Sequence, residues 1–134
     1  MPGELTIGTL SRQSGVNLET IRYYERIGLL AAPRRSASGY RHYDGSAAQR
    51  LRFIRRGREL GFGIEAIRTL LQLADHPELA CEAADQLAQA QLAEVEARIA
   101  DLQAMRAVLA GLTDCQGRTA AHCRLIEALG RLQS

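Results

Sequence analysis

Apolar positions along the chain recur mostly at helical rather than strand spacing. Ile7 and Leu10 lie three apart, so residues 5–14 read as a short helix with Thr6 as its N-cap. Gly15-Val16-Asn17 reads as a turn, with glycine where a left-handed backbone is wanted. A second helix is expected from Leu18 to Ile27, ended by Gly28; Ile21 faces inward, and Arg22, Tyr23, Tyr24 and Glu25 crowd the remaining surface. Two short helices joined across a glycine turn form a helix-turn-helix pattern. Residues 29–43 change character: Pro33, Gly39 and the alternation of aromatic and basic residues through Tyr40, Arg41 and Tyr43 suggest a small β-hairpin, a wing in any DNA-binding head. Asp44-Gly45-Ser46 opens a third helix, with Leu51, Ile54 and Leu60 on one apolar face and Arg50, Arg52, Arg55, Arg56 and Arg58 on the others. Gly61-Phe62-Gly63 breaks it. Ile64, Ile67, Leu70 and Leu71 mark a fourth helix, terminated at Asp75-His76-Pro77.

Residues 81–112 contain no Pro or Gly before Gly111. Ala88, Val95, Leu102 and Leu109 repeat every seven residues, and Leu92 and Ile99 form the companion row, interrupted at Arg106. A helix of about 30 residues is roughly 45 Å long. A 70-residue head is too small to cover it, so pairing with a second copy, parallel or antiparallel, is expected, the alternative being a helix packed on its own domain. A short amphipathic helix with Leu125, Ile126, Leu129 and Leu132 closes the chain. The expected organisation is a head at 5–75, a dimerisation helix at 79–112, and a loop with a short helix at 113–134.

Composition narrows the reading further. Only 4% of the 134 residues are aromatic and there is no Trp, which favours a helical core of Leu, Ile, Val and Ala. No apolar run is long enough to span a membrane, and the N-terminus lacks the features of a signal peptide, so no membrane partner and a cytoplasmic location are expected. Net charge is only +2, but residues 1–70 carry 12 Arg against 6 acidic residues while 71–134 carry 5 Arg against 9. The first half is equipped to meet an anion. Arg22 offers forked donors to base edges and phosphates, and Tyr23 or Tyr24 a hydroxyl and a flat ring; Arg35, Tyr40 and Arg41 on the wing suit phosphate contact. Clustered arginine alone is equally a solvated surface; its place on a helix-turn-helix followed by a wing points to duplex DNA. Catalysis finds no support in a nucleophile–base pair, a phosphate loop or a His/carboxylate cluster.

Three cysteines, an odd number in a reducing compartment, suggest thiolates rather than disulfides. Thiolates select thiophilic ions. Cys115 and Cys123 bound one loop, whereas Cys81 begins the long helix, about 50 Å away along a straight helix and loop. In an antiparallel dimer the start of one helix lies beside the end of the other, so Cys81 of one chain would meet Cys115 and Cys123 of its partner, giving two equivalent sites. A lone cysteine is as readily a small buried hydrophobe. His122 adjoins Cys123, Asp114 adjoins Cys115 and His76 lies near Cys81; His122 is the extra ligand considered, a solvated loop residue being the plainer reading for it and a helix-terminus residue for His76.

Residues 5–11, 15–30, 39–43 and 51–62 resemble the MerR family closely, and Ile-Arg-Tyr-Tyr-Glu-x-x-Gly-Leu at 21–29 is a specific signature. The resemblance covers nearly the whole chain. It implies a mainly α fold with a winged helix-turn-helix head, a long antiparallel dimerisation helix, and a C-terminal metal-binding loop with a short helix. It also implies a homodimer on double-stranded promoter DNA that represses until metal binding distorts the DNA and lets RNA polymerase open the promoter. Cys81 is similar to the position that marks divalent-ion sensors, copper-type sensors carrying Ser there. Residues 81–88 and 100–109 look most like the mercury sensors, so Hg2+ is favoured, followed by Zn2+, Cd2+ or Pb2+. The seven residues between Cys115 and Cys123 are fewer than in mercury sensors and nearer the copper(I) type. A copper(I)-type sensor or a thiol redox switch on the same scaffold is therefore the alternative.

Overall fold

The computed structural model describes residues 5–35, 41–113, 116, 117 and 119–131. Contacts divide the chain into two units, Met1–Leu87 and Ala88–Ser134.

The first unit is built from α1 (Ile7–Ser14), α2 (Leu18–Arg26), a two-stranded antiparallel ribbon of β1 (Arg34–Arg35) and β2 (Arg41–His42), α3 (Gly45–Glu59) and α4 (Ile64–Asp75). Local chemistry explains most of the boundaries. Thr6 Oγ1 accepts from the Thr9 N–H at 3.2 Å and caps α1; Asn17 Oδ1 accepts from the Thr20 N–H at 2.8 Å and caps α2; Asp44 Oδ1 accepts from the Ser46 N–H at 2.9 Å and caps α3. Gly15 ends α1 with φ +74°, and its N–H donates to Ser11 O at 2.9 Å. After α2 the chain reverses so that the N–H groups of Leu29 and Leu30 both donate to Tyr24 O, at 2.9 and 3.3 Å.

Helix α3 is the organising element, packed against both α1 and α4, while α1 also packs on α2. The core is Leu10, Val16, Ile21, Tyr24, Leu29, Leu30, Tyr43, Ala47, Ala48, Leu51, Ile54, Ile67 and Leu71. Ile21, Leu51, Ile54 and Ile67 were expected there. Leu60 was assigned to the same face as Leu51 and Ile54 but is 65% exposed, because α3 ends at Glu59 and the chain turns away at Gly61. Leu29 and Leu30 close the core from the segment after α2.

The arginines of α3 are partly consumed by the head itself. Arg52 Nη1 donates to Gln13 O at 3.3 Å and Arg55 Nη1 to Ser14 O at 3.4 Å, where the last turn of α1 leaves carbonyls without helical partners. Arg58 Nη1 donates to Phe62 O at 2.9 Å across the α3–α4 turn. A Cβ added at Gly15 would lie 2.0 Å from Arg55 Nη1. Gly15→Ala is therefore expected to cost about 1–2 kcal/mol, from left-handed backbone strain plus displacement of Arg55, read as a lower urea midpoint at unchanged m.

Helix α5 (Glu82–Ala110) begins in the first unit, with the Asp85 N–H donating to Cys81 O at 3.0 Å. In the second unit the apolar seam of α5 is open to solvent, Leu92, Val95, Ile99, Leu102 and Leu109 all being exposed. A single 3-10 turn (Ala120–His122) and α6 (Arg124–Arg131) follow, and Arg124 Nη1 donates to Gly111 O at 3.4 Å. No described helix is long and apolar enough to cross a membrane.

Candidate DNA interface and metal ligands

The second helix of the helix-turn-helix presents Arg22 and Tyr23 outward, Tyr23 being 42% exposed with the Arg26 guanidinium 5.7 Å from its ring centroid. Tyr24, expected at the surface beside them, is instead a core residue at 7% exposure, its ring tilted 48° against Tyr23. Consecutive helical residues point about 100° apart, so a pair of tyrosines cannot share one face. Packing assigned the second to the core.

A two-stranded antiparallel ribbon stands where a hairpin was expected. Arg34 pairs with His42 and Arg35 with Arg41 across the antiparallel ribbon, which puts Arg35 and Arg41 at directly opposed positions. Tyr40 lies outside the described residues.

What holds the ribbon and α2 in register was not evident in the sequence. Tyr43, at the foot of β2, exchanges two backbone hydrogen bonds with Leu5, at 2.7 and 2.8 Å, and its buried hydroxyl donates to the Glu25 carboxylate on α2. One residue thus ties Leu5, α2 and the ribbon. Glu25 and Tyr43 are separated by 18 residues, and no periodic pattern marks such a pair.

Cys81 and Cys123 are both free thiols, Cys81 exposed and Cys123 half-buried. Each stands immediately before a helix: Cys81 O receives the Asp85 N–H, and Cys123 O receives the Glu127 N–H at 3.0 Å. Ahead of Cys123, Gln116 and Gly117 take positive φ of +40° and +77°, turning the loop. Cys115 and Asp114 lie outside the described residues. Exposed His122 precedes Cys123, and His76 contacts Glu78 at 3.5 Å. Among the described residues no three His, Cys, Asp or Glu side chains gather as a metal cluster. Accessible sulfur donors outside any disulfide are the chemistry a soft ion requires, so the donor types present fit a thiophilic metal.

An arginine-bearing helix-turn-helix with an adjoining ribbon, followed by a long helix with an open apolar seam, defines a DNA-binding regulatory protein. The sequence matches the family described as MerR HTH family regulatory protein over residues 5–74, and that described as MerR, DNA binding over 48–112. It is 42% identical to the HTH-type transcriptional regulator ZntR of Escherichia coli K12 over 92% of this chain and 90% of the relative. It is 40% identical to the mercuric resistance operon regulatory protein of Pseudomonas fluorescens over 93% of this chain and 87% of the relative. Among solved structures it resembles the transcription regulator PbrR691 of Ralstonia metallidurans CH34 in complex with lead(II), with a TM-score of 0.77 and 37% identity over 93% of this chain and 98% of that one. The chain belongs to the MerR family of helix-turn-helix transcription regulators, which are DNA-binding proteins and not enzymes.

Proposed function

We propose that the protein is a metal-responsive regulator that binds promoter DNA as a homodimer and activates transcription by distorting the DNA when a divalent thiophilic ion binds. The observation that carries this reading is the pair of accessible thiols, Cys81 and Cys123, each at the head of a helix on a MerR scaffold. The relatives support it: one is named for mercuric resistance and one was solved with lead(II). Mercury(II) is favoured as effector, then zinc, cadmium or lead. The ligands are Cys115 and Cys123 of one chain with Cys81 of the other, and His122 is a candidate fourth donor. The exposed seam from Leu92 to Leu109 is the dimer contact, formed antiparallel. Residues 5–75 read DNA, 79–112 pair the chains and 113–134 carry the metal loop.

On the DNA side Arg22 and Tyr23 enter the major groove, while Arg35, Tyr40 and Arg41 grip the backbone. Tyr24 supports them from the core. RNA polymerase is the partner that opens the distorted promoter. Arg22→Ala is expected to weaken promoter binding about 10- to 100-fold without changing metal stoichiometry, measured by fluorescence anisotropy at fixed salt.

The reading as a whole is tested by titrating the reduced protein with mercury(II), zinc, cadmium, lead and copper(I), following ultraviolet thiolate charge transfer and metal-dependent transcription in parallel. Tight binding of one divalent ion per chain together with induced transcription is expected. The short interval between Cys115 and Cys123 favours copper(I) as the second reading. Copper(I) binding in preference to every divalent ion would establish it instead.

A further inference from the structure

Arg50 joins three segments that are far apart in the chain. It lies on α3, in the middle of the head. Its Nε donates to the carbonyl of Leu29 at 2.8 Å, and its Nη1 meets both carboxylate oxygens of Asp75 at 3.0 and 3.1 Å. Leu29 is buried directly after the recognition helix, its own N–H fixed on Tyr24 O at 2.9 Å. Asp75 is the last residue of α4. Beyond it His76 leaves helical geometry with φ −132° and ψ 72°, and five residues further the linker reaches Cys81. One planar guanidinium therefore spans the end of the DNA-reading helix and the start of the segment leading to the proposed metal ligand.

We propose that Arg50 is a positioning residue that couples the linker before Cys81 to the end of the recognition helix, with Asp75 as its releasable contact. The two halves of the clamp differ in strength as such a role requires. The Leu29 carbonyl belongs to a buried core residue, so Arg50 stays on it. Asp75 is half exposed and borders an open cleft of about 510 Å³ lined also by Leu29, Tyr43 and Asp44. An ion pair in that setting is weak and exchanges readily with water. A shift of the linker that withdraws Asp75 leaves Arg50 with a single acceptor and changes the restraint on Leu29 and on the turn ahead of the wing. No covalent connection and no movement of the core is needed.

This coupling rests on the proposed role of Cys81 only in naming what moves the linker, and its test separates the two. Amide hydrogen exchange of the metal-free full-length protein is compared with that of Asp75→Asn, which keeps the side-chain volume and removes the charge. The Leu79 N–H, held on His76 O at 2.9 Å, reports the linker, and the Leu29 and Leu30 N–H groups report the end of the recognition helix. Both sets are expected to exchange about 3- to 10-fold faster in Asp75→Asn, and Asp75→Glu to restore most of the protection. Acceleration confined to Leu79 would overturn the proposal, since the ion pair would then hold only the linker. In the metal-bound protein, Asp75→Asn is expected to lower the transcription ratio with and without metal by about 3- to 10-fold, with metal affinity and metal-free DNA affinity each within about twofold of the parent. A merely structural ion pair would move all three together. If the parent protein shows no response to metal, the proposed function fails, while the exchange comparison still decides whether Arg50 transmits.

Discussion

Replacing Cys81 by serine is expected to weaken binding of the effector ion by at least about 100-fold while leaving metal-free promoter affinity within about twofold. Loss of a partner behind a metal ligand commonly costs 10- to 100-fold, and loss of a thiolate ligand itself costs more for a soft ion. Serine is nearly the same size, Cys81 is exposed, and the bond from the Asp85 N–H to its carbonyl is a backbone contact that the substitution does not touch. The fold therefore survives. Mixed dimers make the test sharper. If each site draws Cys81 from one chain and Cys115 with Cys123 from the other, a heterodimer of Cys81→Ser and Cys123→Ser retains one intact site and has lost the other. It should bind one ion per dimer at close to the parental affinity. Ligands gathered within one chain would leave both sites damaged, and no tight binding would be seen. Separately tagged chains purified as the heterodimer, titrated by thiolate charge transfer, distinguish the two.

Leu51→Ala is expected to destabilise the head by about 3–5 kcal/mol, most of the stability a domain of this size has. Leu51 has no exposed surface and sits at the middle of α3, the helix that packs against both α1 and α4. Removing three carbons there leaves a cavity bordered by rigid helices that cannot close on it. Promoter binding should fail with unfolding, because α1 and α2 hold their relative orientation through this core. Leu60→Ala is the matched control: the same truncation on the same run of sequence, but at a site 65% exposed, should cost less than about 1 kcal/mol. Urea midpoints of the two variants check both values. Similar losses would mean that Leu60 is covered in solution by something outside the chain.

The contrast between Leu51 and Leu60 shows where local pattern stops informing. Both lie on an apolar stripe in the sequence, and the helix ending at Glu59 separates their fates. Element boundaries themselves were legible, because caps and turns act within a few residues. Thr6, Asn17 and Asp44 each satisfy a nearby N–H, and Gly15 and Gly28 take positive φ that other residues resist. The hairpin and the heptad spacing along α5 were legible for the same reason: spacing along one strand or helix is a local quantity.

Only tertiary structure decided which of two adjacent tyrosines faces outward, that Arg52 and Arg55 serve the end of α1, that Tyr43 reaches Glu25, and that Arg50 spans Leu29 and Asp75. These pairings join residues 18 to 41 positions apart. A hydrogen bond across such an interval depends on how whole helices cross, which sums many weak packing contacts, and no repeat in the chain encodes it. Local spacing and capping were enough to set the elements; helix packing selected which polar groups are spent inside the head and which stay on its surface.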